Sequence, residues 1–306
     1  MEAGYTDRTR RTGSTAPDSS MGLYTTMAAA GTHPRTTYFG GRVRQNHPHR
    51  KGGIAMRVYL TLLRRELASH FVSLTGYVII SVVLLLLGFS ILDMLPKLNG
   101  DPTDTPITRI FYATVYFWML MLLTTPIMTM RTFAQEKFTG TFETLMTTPV
   151  SDLEVVLAKF TGALIFFMVT WLPLGGYMML LHQYTNQAAT AFDYRTLLCT
   201  YLGIGLLGSV YVALGCFASA LTRSQLIAAA VSYGMGITIF LLSLRSLVPI
   251  PMAGWQAKVF TYISLTEHLE DFSRGIIDTS NLVFYLSLTG MFLFLTLKVV
   301  ESRRWK

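Results

Sequence analysis

The sequence predicts an all-α membrane protein of six transmembrane helices, and three observations carry the prediction. Of 306 residues, 51% are apolar and only 14% charged, with a mean hydropathy of +0.44; a soluble domain carries roughly a quarter charged residues. Six apolar runs are each long enough to cross about 30 Å of hydrocarbon: Gly76–Leu95, Ile110–Met130, Val156–Leu181, Leu197–Leu221, Leu226–Leu247 and Leu282–Val299. Lys and Arg are distributed unevenly between the segments that join them.

That asymmetry orients the chain. With the amino terminus cytosolic, the inside holds Arg57, Arg64, Arg65, Arg131, Lys137, Lys159, Arg223, Lys298, Arg303, Arg304 and Lys306. The outside holds Lys97, Arg109, Arg195, Arg245, Lys258 and Arg274. Both termini are then cytosolic, as an even number of spans requires. The net charge of +8 is thereby a matter of topology and not of nucleic-acid binding.

Residues 1–55 are a different material, dominated by Thr, Gly, Arg, Pro and His. Such a segment cannot bury enough surface to offset its ordering entropy and is expected to be disordered. It lacks the apolar core of a secretory signal. Arg-rich and acid-poor, it has the composition of an organelle transit peptide. The preferred reading is a true start at Met56, because MRVYLTLLRREL opens an ordered segment at once. The membrane domain is then 56–306.

From Val58 to Phe71, Leu60, Leu63, Leu67 and Phe71 recur against Arg57, Arg64, Arg65 and Glu66. This is an amphipathic helix with a basic face, suited to an anionic inner leaflet; the alternative is a cytosolic extension of the first span. Polar loop Pro96–Arg109 joins the first two spans, and His182–Thr196 joins the third and fourth.

The polar interruption Arg131–Glu154 has the grammar of short helices. The helix through Arg131, Phe133 and Glu136 breaks at Gly140, a residue that accepts left-handed dihedrals. A stub of about two turns follows, with Phe142, Leu145 and Met146 on one apolar face. Pro149 disfavours helix at Thr148. Ser151 and Glu154 form a capping box that starts the next helix. A small apolar knob on an elbow at the water boundary is a docking element; the bland alternative is a refolded loop.

Only Thr222–Gln225 separates the fourth and fifth spans, which form a tight hairpin. Small residues recur at four-residue spacing, Gly205, Ser209 and Ala213 on one side and Ala228, Ser232 and Gly236 on the other. Such stripes let helix backbones approach closely in lipid; a groove lined by backbone is the sharper reading.

The outer connection Val248–Asn281 reads as two short helices dipping into the outer leaflet. Trp255, Val259 and Tyr262 fall at helical spacing, with Trp and Tyr suited to a headgroup boundary. Ser264 and Glu267 make a second capping box. Leu265, Leu269, Phe272 and Ile276 line one face of a helix stopping at Gly275. Glu267, His268 and Asp271 read either as a metal or proton site or as a wet polar face, and the wet face explains them at least as well.

No G-x-x-x-x-G-K-[ST] phosphate loop, H-E-x-x-H or G-x-S-x-G motif occurs. Asp93 sits at the edge of the first run and the middles of all six are neutral, which argues against an ion-coupled pump. Cys199 and Cys216 share one span and stand roughly 25 Å apart along it, too far for a disulfide. The chain is not an enzyme and binds neither metal nor cofactor of its own; energy for transport has to come from another polypeptide. Aromatics crowd the second and third runs (Phe111, Tyr112, Tyr116, Phe117, Trp118; Phe166, Phe167, Trp171). They suit lipid-like cargo and equally suit plain lipid contact.

RTFAQEKFTGTFETLMTTPVSDLEVVLAKF, GCFASALTRSQLIAAAVSYG, SLTEHLEDFSRGIIDTSNLVFYLSL and the closing ESRRW resemble the permease subunits of type-2 ABC exporters. Gliding-motility-associated permeases and the permease of nitrous-oxide reductase maturation are the nearest in flavour. The resemblance covers 56–306 and leaves the first 55 residues outside the family pattern. It implies that the stub is a coupling helix seated in a separate ATPase subunit, which carries the ATP and Mg. Phe142, Leu145 and Met146 would be the knob, with Arg131, Glu136 and Glu143 the polar shell around it. Val58–Phe71 would be a connecting helix on the membrane surface, and a re-entrant pair would precede the sixth span. A second permease chain, identical or related, would pair through the first, second and fifth spans. The rival function is a non-transporting anchor or scaffold of an ATPase-driven complex.

Overall fold

Helix α1 (Pro48–Phe71) gives way to α2 (Leu74–Leu98) at a sharp bend. Ser73 makes the bend: its hydroxyl donates to the His70 carbonyl at 3.2 Å and accepts from the Gly76 amide at 3.0 Å, capping the incoming helix. A Cβ on Gly76 would stand 2.0 Å from the His70 carbonyl oxygen, so the turn requires glycine. α1 is therefore a helix of its own, not an extension of the first span, and it runs unbroken through Met56. The computed structural model describes residues 48–98, 107–141, 150–185, 194–244, 254–255 and 262–304, among which there is no strand.

The second apolar run is divided. α3 (Ile107–Tyr112) and α4 (Val115–Thr129) meet at Thr114. The Thr114 hydroxyl donates to the Phe111 carbonyl at 2.7 Å and accepts from the Phe117 amide at 3.4 Å, ending one helix and starting the next. α4 alone is about 22 Å long. Five helices among the described residues are long and apolar enough to cross a membrane, namely Leu74–Pro96, Asp152–Leu181, Tyr194–Leu221, Gln225–Leu244 and Thr279–Ser302. The remaining elements, in order, are α5 (Ala134–Thr139), α6 (Asp152–Trp171), α7 (Pro173–Thr185), α8 (Tyr194–Leu221), α9 (Gln225–Leu244), α10 (Leu265–Ser273) and α11 (Thr279–Arg304).

α8 is the axis of the bundle. It is 78% buried, against 22–28% for α2, α9 and α11, and α4, α6, α9, α10 and α11 all pack on it. Lipid offers no hydrophobic drive between helices, so close backbone approach has to supply the attraction. α8 provides it at glycines: a Cβ on Gly208 would stand 2.1 Å from the Phe167 ring of α6, and one on Gly215 2.0 Å from Thr129 Oγ1 of α4.

Two members of the α8 stripe pack on helices other than α9. Gly205 meets Met168 of α6 (3.3 Å from an added Cβ), and Ser209 is hydrogen-bonded to Thr289 of α11 at 2.9 Å. Ala213 is fully buried on α8, as are Ala228 and Ser232 on α9. Gly236 does meet α8, through the Tyr211 ring, whose hydroxyl donates to the Gly236 carbonyl at 3.3 Å. A four-residue stripe drifts around a 3.6-residue helix, so a long one cannot keep facing one neighbour.

Five aromatics of the second and third runs are also reassigned. Phe111, Phe117, Phe166, Phe167 and Trp171 are at most 1% exposed, which excludes both the lipid face and an open cargo wall. Phe111 packs edge-on against Phe117 and Trp171, at 5.5 and 6.3 Å between centroids, an arrangement favoured by the ring quadrupoles. This cluster fills the bend between α3 and α4.

Candidate functional site

The elbow between α4 and α6 is rooted in polar contacts from four helices. α5 begins without a side-chain cap of its own at Phe133, leaving amides to be satisfied from elsewhere. Ser219 of α8 satisfies two: its Oγ accepts from the Phe133 and Ala134 amides, both at 3.0 Å, and donates to the Met130 carbonyl at 3.1 Å. Lys137 is buried and its ammonium donates to the Ala220 carbonyl, in the last turn of α8, where the helix dipole favours a cation.

The other side of α5 carries Glu136. Its Oε1 accepts from Lys159 Nζ of α6 and from the Arg65 guanidinium of α1, both at 2.9 Å. Lys159 also reaches Glu66 Oε1 at 2.9 Å, and Arg65 reaches the same oxygen at 3.0 Å. Only 3% of the Lys159 side chain is exposed, and its ammonium lies 5.4 Å above the Phe133 ring. Two cations face two carboxylates, the balance a buried ion set needs. Burial works to raise the Glu66 carboxyl, but Lys159 and Arg65 together hold it below its ordinary value. His70, one turn on and stacked on Phe166 at 5.2 Å, is held below its ordinary value mainly by burial.

This geometry revises one expectation. Glu66 does not lie on a wet basic face; it is 7% exposed, because the helix α1 packs along α6. Glu136, expected in the polar shell around the knob, links α1, α5 and α6 through Arg65 and Lys159. Arg131 is exposed and lines a polar cleft of about 270 Å³ with Arg65, Ser69 and Gln135.

At its far end α5 stops at Gly140, whose φ of 75° is left-handed. Phe142, Glu143, Leu145, Met146 and Pro149 lie outside the described residues. At the start of α6 the Ser151–Glu154 capping box is present in both directions at 3.3 Å.

At the opposite end of the bundle, Ser264 caps α10 by accepting from the Glu267 amide at 3.4 Å. Leu265, Leu269 and Phe272 are buried; Phe272 lies 3.1 Å from where a Gly203 Cβ would stand. Ile276 leaves that face. α10 ends at Ser273, Gly275 reverses the chain with φ 75°, and Ile276 is exposed. Trp255 is 69% exposed. Glu267, His268 and Asp271 diverge: His268 is buried against the Phe284 and Tyr285 rings, whereas Asp271 accepts from Asn281 at 3.1 Å. Among the described residues no three His, Cys, Asp or Glu side chains are grouped to hold a metal.

The paired charges of the elbow come from α1, α5 and the beginning of α6, at one end of the apolar helices. A family model described as "ABC-2 family transporter protein" matches residues 17–304. The chain belongs to the ABC-2 transporter family. It is thus a multi-pass membrane protein and the permease component of an ABC transporter, distinct from the ATP-binding component; membership implies an ABC ATPase subunit as partner. The ABC-2 match begins upstream of Met56, inside the segment that composition sets apart. No curated protein matches this permease.

Sequence reasoning missed Ser219 and the pairing of Lys159. Their signals are faint: a serine close to a span's end, and one lysine just inside the run VVLAKFTGALIFF. A cation in that position needs a partner, but nothing local names it.

Proposed function

We propose that this permease is the membrane subunit of an exporter in the cytoplasmic membrane, driven by a separate ATPase that docks on the Arg131–Glu154 elbow. In this reading α3 and α4 together make the second of six spans and both termini are cytosolic. α1 lies along the inner surface, and Trp255 and α10 belong to a re-entrant pair. Two permease chains, identical or related, pair through α2, α4 and α9 around the pathway. ATP and Mg are bound by the partner, and Phe142, Leu145 and Met146 enter its cleft.

The carrying observation is that Glu136 and Lys159, on the two sides of the elbow, are ion-paired to each other and through Glu66 to α1. A displacement of the elbow then cannot be absorbed by one short helix. It moves α1, α5 and α6 as a unit, and Ser219 passes it to α8; packed helices shift as rigid bodies.

Leu145→Asp places a charge in the docking knob. It is expected to abolish ATP-dependent transport and stimulation of the ATPase while membrane insertion stays normal. Unaltered transport in that variant would overturn the docking claim.

A further inference from the structure

The elbow accounts for the charges at one end of the bundle and leaves a cavity at the other unexplained. α3, α4, α9 and α10 enclose about 560 Å³, within the roughly 300–1,000 Å³ of small-ligand sites. Its walls have opposite characters. Along α4 and α9 they are apolar, with Trp118 and Phe240 in ring contact at 4.5 Å and Met119 beside them. At the α3–α10 end they are ionic, with Arg109 and Glu270.

The ionic end carries an excess cation. Glu270 Oε1 is ion-paired to Arg109 at 2.9 Å and accepts from Arg274 at 2.6 Å, so two guanidiniums share one carboxylate. Each guanidinium has five N–H donors, far more than that one oxygen uses, and the side chains of Arg109 and Arg274 are 42% and 49% exposed. The apolar wall is open to its surroundings, since Val115 is 70% and Met119 40% exposed. An amphiphile can therefore enter sideways, tail first, and bring its head to Arg109.

We propose that this cavity binds a lipid whose head carries a phosphate, with one acyl chain along Trp118 and Phe240 and the phosphate on Arg109. Guanidinium and phosphate match in charge and in forked geometry, and the cavity has room for one chain. As the cargo site it rests on the proposed pathway through α4 and α9; as a binding site it stands without it.

The test uses the full-length chain in maltoside detergent, with neither ATP nor an ATPase subunit. Two probes with the same brominated acyl chain, a lysophosphatidylglycerol and a neutral monoacylglycerol, are titrated and tryptophan quenching is read. The phosphate probe is expected to quench saturably and bind about tenfold more tightly, the increment of a charge-assisted hydrogen bond. Trp118→Phe is expected to remove most of the quenching, and Arg109→Gln to bring the two probes to equal affinity. Equal affinities in the unaltered protein would overturn the proposal, whether or not Arg109→Gln folds. So would quenching that persists in Trp118→Phe. Because no ATPase is present, a negative result leaves the coupling reading untouched, and failure of coupling leaves the binding result standing.

Discussion

Lys159 Nζ lies 2.9 Å from Glu66 Oε1, a contact across 93 positions of sequence that fastens α1 to the start of α6. The same ammonium holds Glu136 at 2.9 Å, so one lysine ties the helix before the first span to both sides of the elbow. Removing it should be felt as stability before it is felt as function. Lys159→Met strands a buried carboxylate and is expected to lower stability by about 3–5 kcal/mol, read as earlier thermal inactivation in detergent. Adding Glu66→Met should recover part of the loss, a non-additivity that residues in one ion network show. Additive losses would mean that the two act separately.

Acid should loosen the same junction in two steps. The His70 folded value lies below its ordinary 6.5 and the Glu66 folded value below its ordinary 4.5. As pH falls through either ordinary value, the unfolded chain takes up the proton first, so stability drops. The His70 loss starts near 6.5 and the Glu66 loss near 4.5, each continuing down to the folded value. Melting temperatures from pH 8 to 3.5 should show both. His70→Phe, which keeps the stack on Phe166, should shrink the upper step and leave the lower, and Glu66→Gln should shrink the lower.

Glycines on α8 are not interchangeable. Gly208→Ala presses a methyl into the Phe167 ring and Gly215→Ala presses one into Thr129, and each is expected to cost about 1–3 kcal/mol through overpacking. Gly205→Ala meets only the flexible end of Met168, at 3.3 Å, and should melt within about 0.5 kcal/mol of the unaltered chain. Thermal melting of the three variants side by side checks the order.

Ser219→Ala leaves the Phe133 and Ala134 amides without their acceptor and is expected to cost about 1–3 kcal/mol. In the proposed mechanism it should also lower ATPase-driven transport more than it lowers the amount of folded protein. Transport that falls only in step with folding would confine Ser219 to a structural role.

Local signals were legible in the sequence, and long-range ones were not. The Ser151–Glu154 box, the left-handed Gly140 and Gly275 and the start of α10 at Ser264 depend on a few neighbouring residues. The pairing of Glu66, Glu136 and Lys159 depends on how three distant helices pack, and amphipathic spacing alone placed Glu66 on the wrong side. Threonine shows the ambiguity most clearly. Thr125 and Thr129 return their hydroxyls to carbonyls four residues back and stay inside α4, at 2.7 Å in both cases. Thr114 turns to the carbonyl three back and ends a helix. Either use is open to a threonine in an apolar run, so the division of the second run could not be read in advance.

The most direct test of the account is the reactivity of a single cysteine at position 145. Cys199 and Cys216 are free and buried, so they can be replaced by serine or left as a low background. In sealed vesicles, Leu145→Cys is predicted to react with a membrane-impermeant maleimide from the cytosolic side only, and to be shielded when the ATPase subunit is added. Reaction from the exterior, or cytosolic reaction that the ATPase subunit leaves unchanged, would contradict the claim that force enters this permease at its elbow.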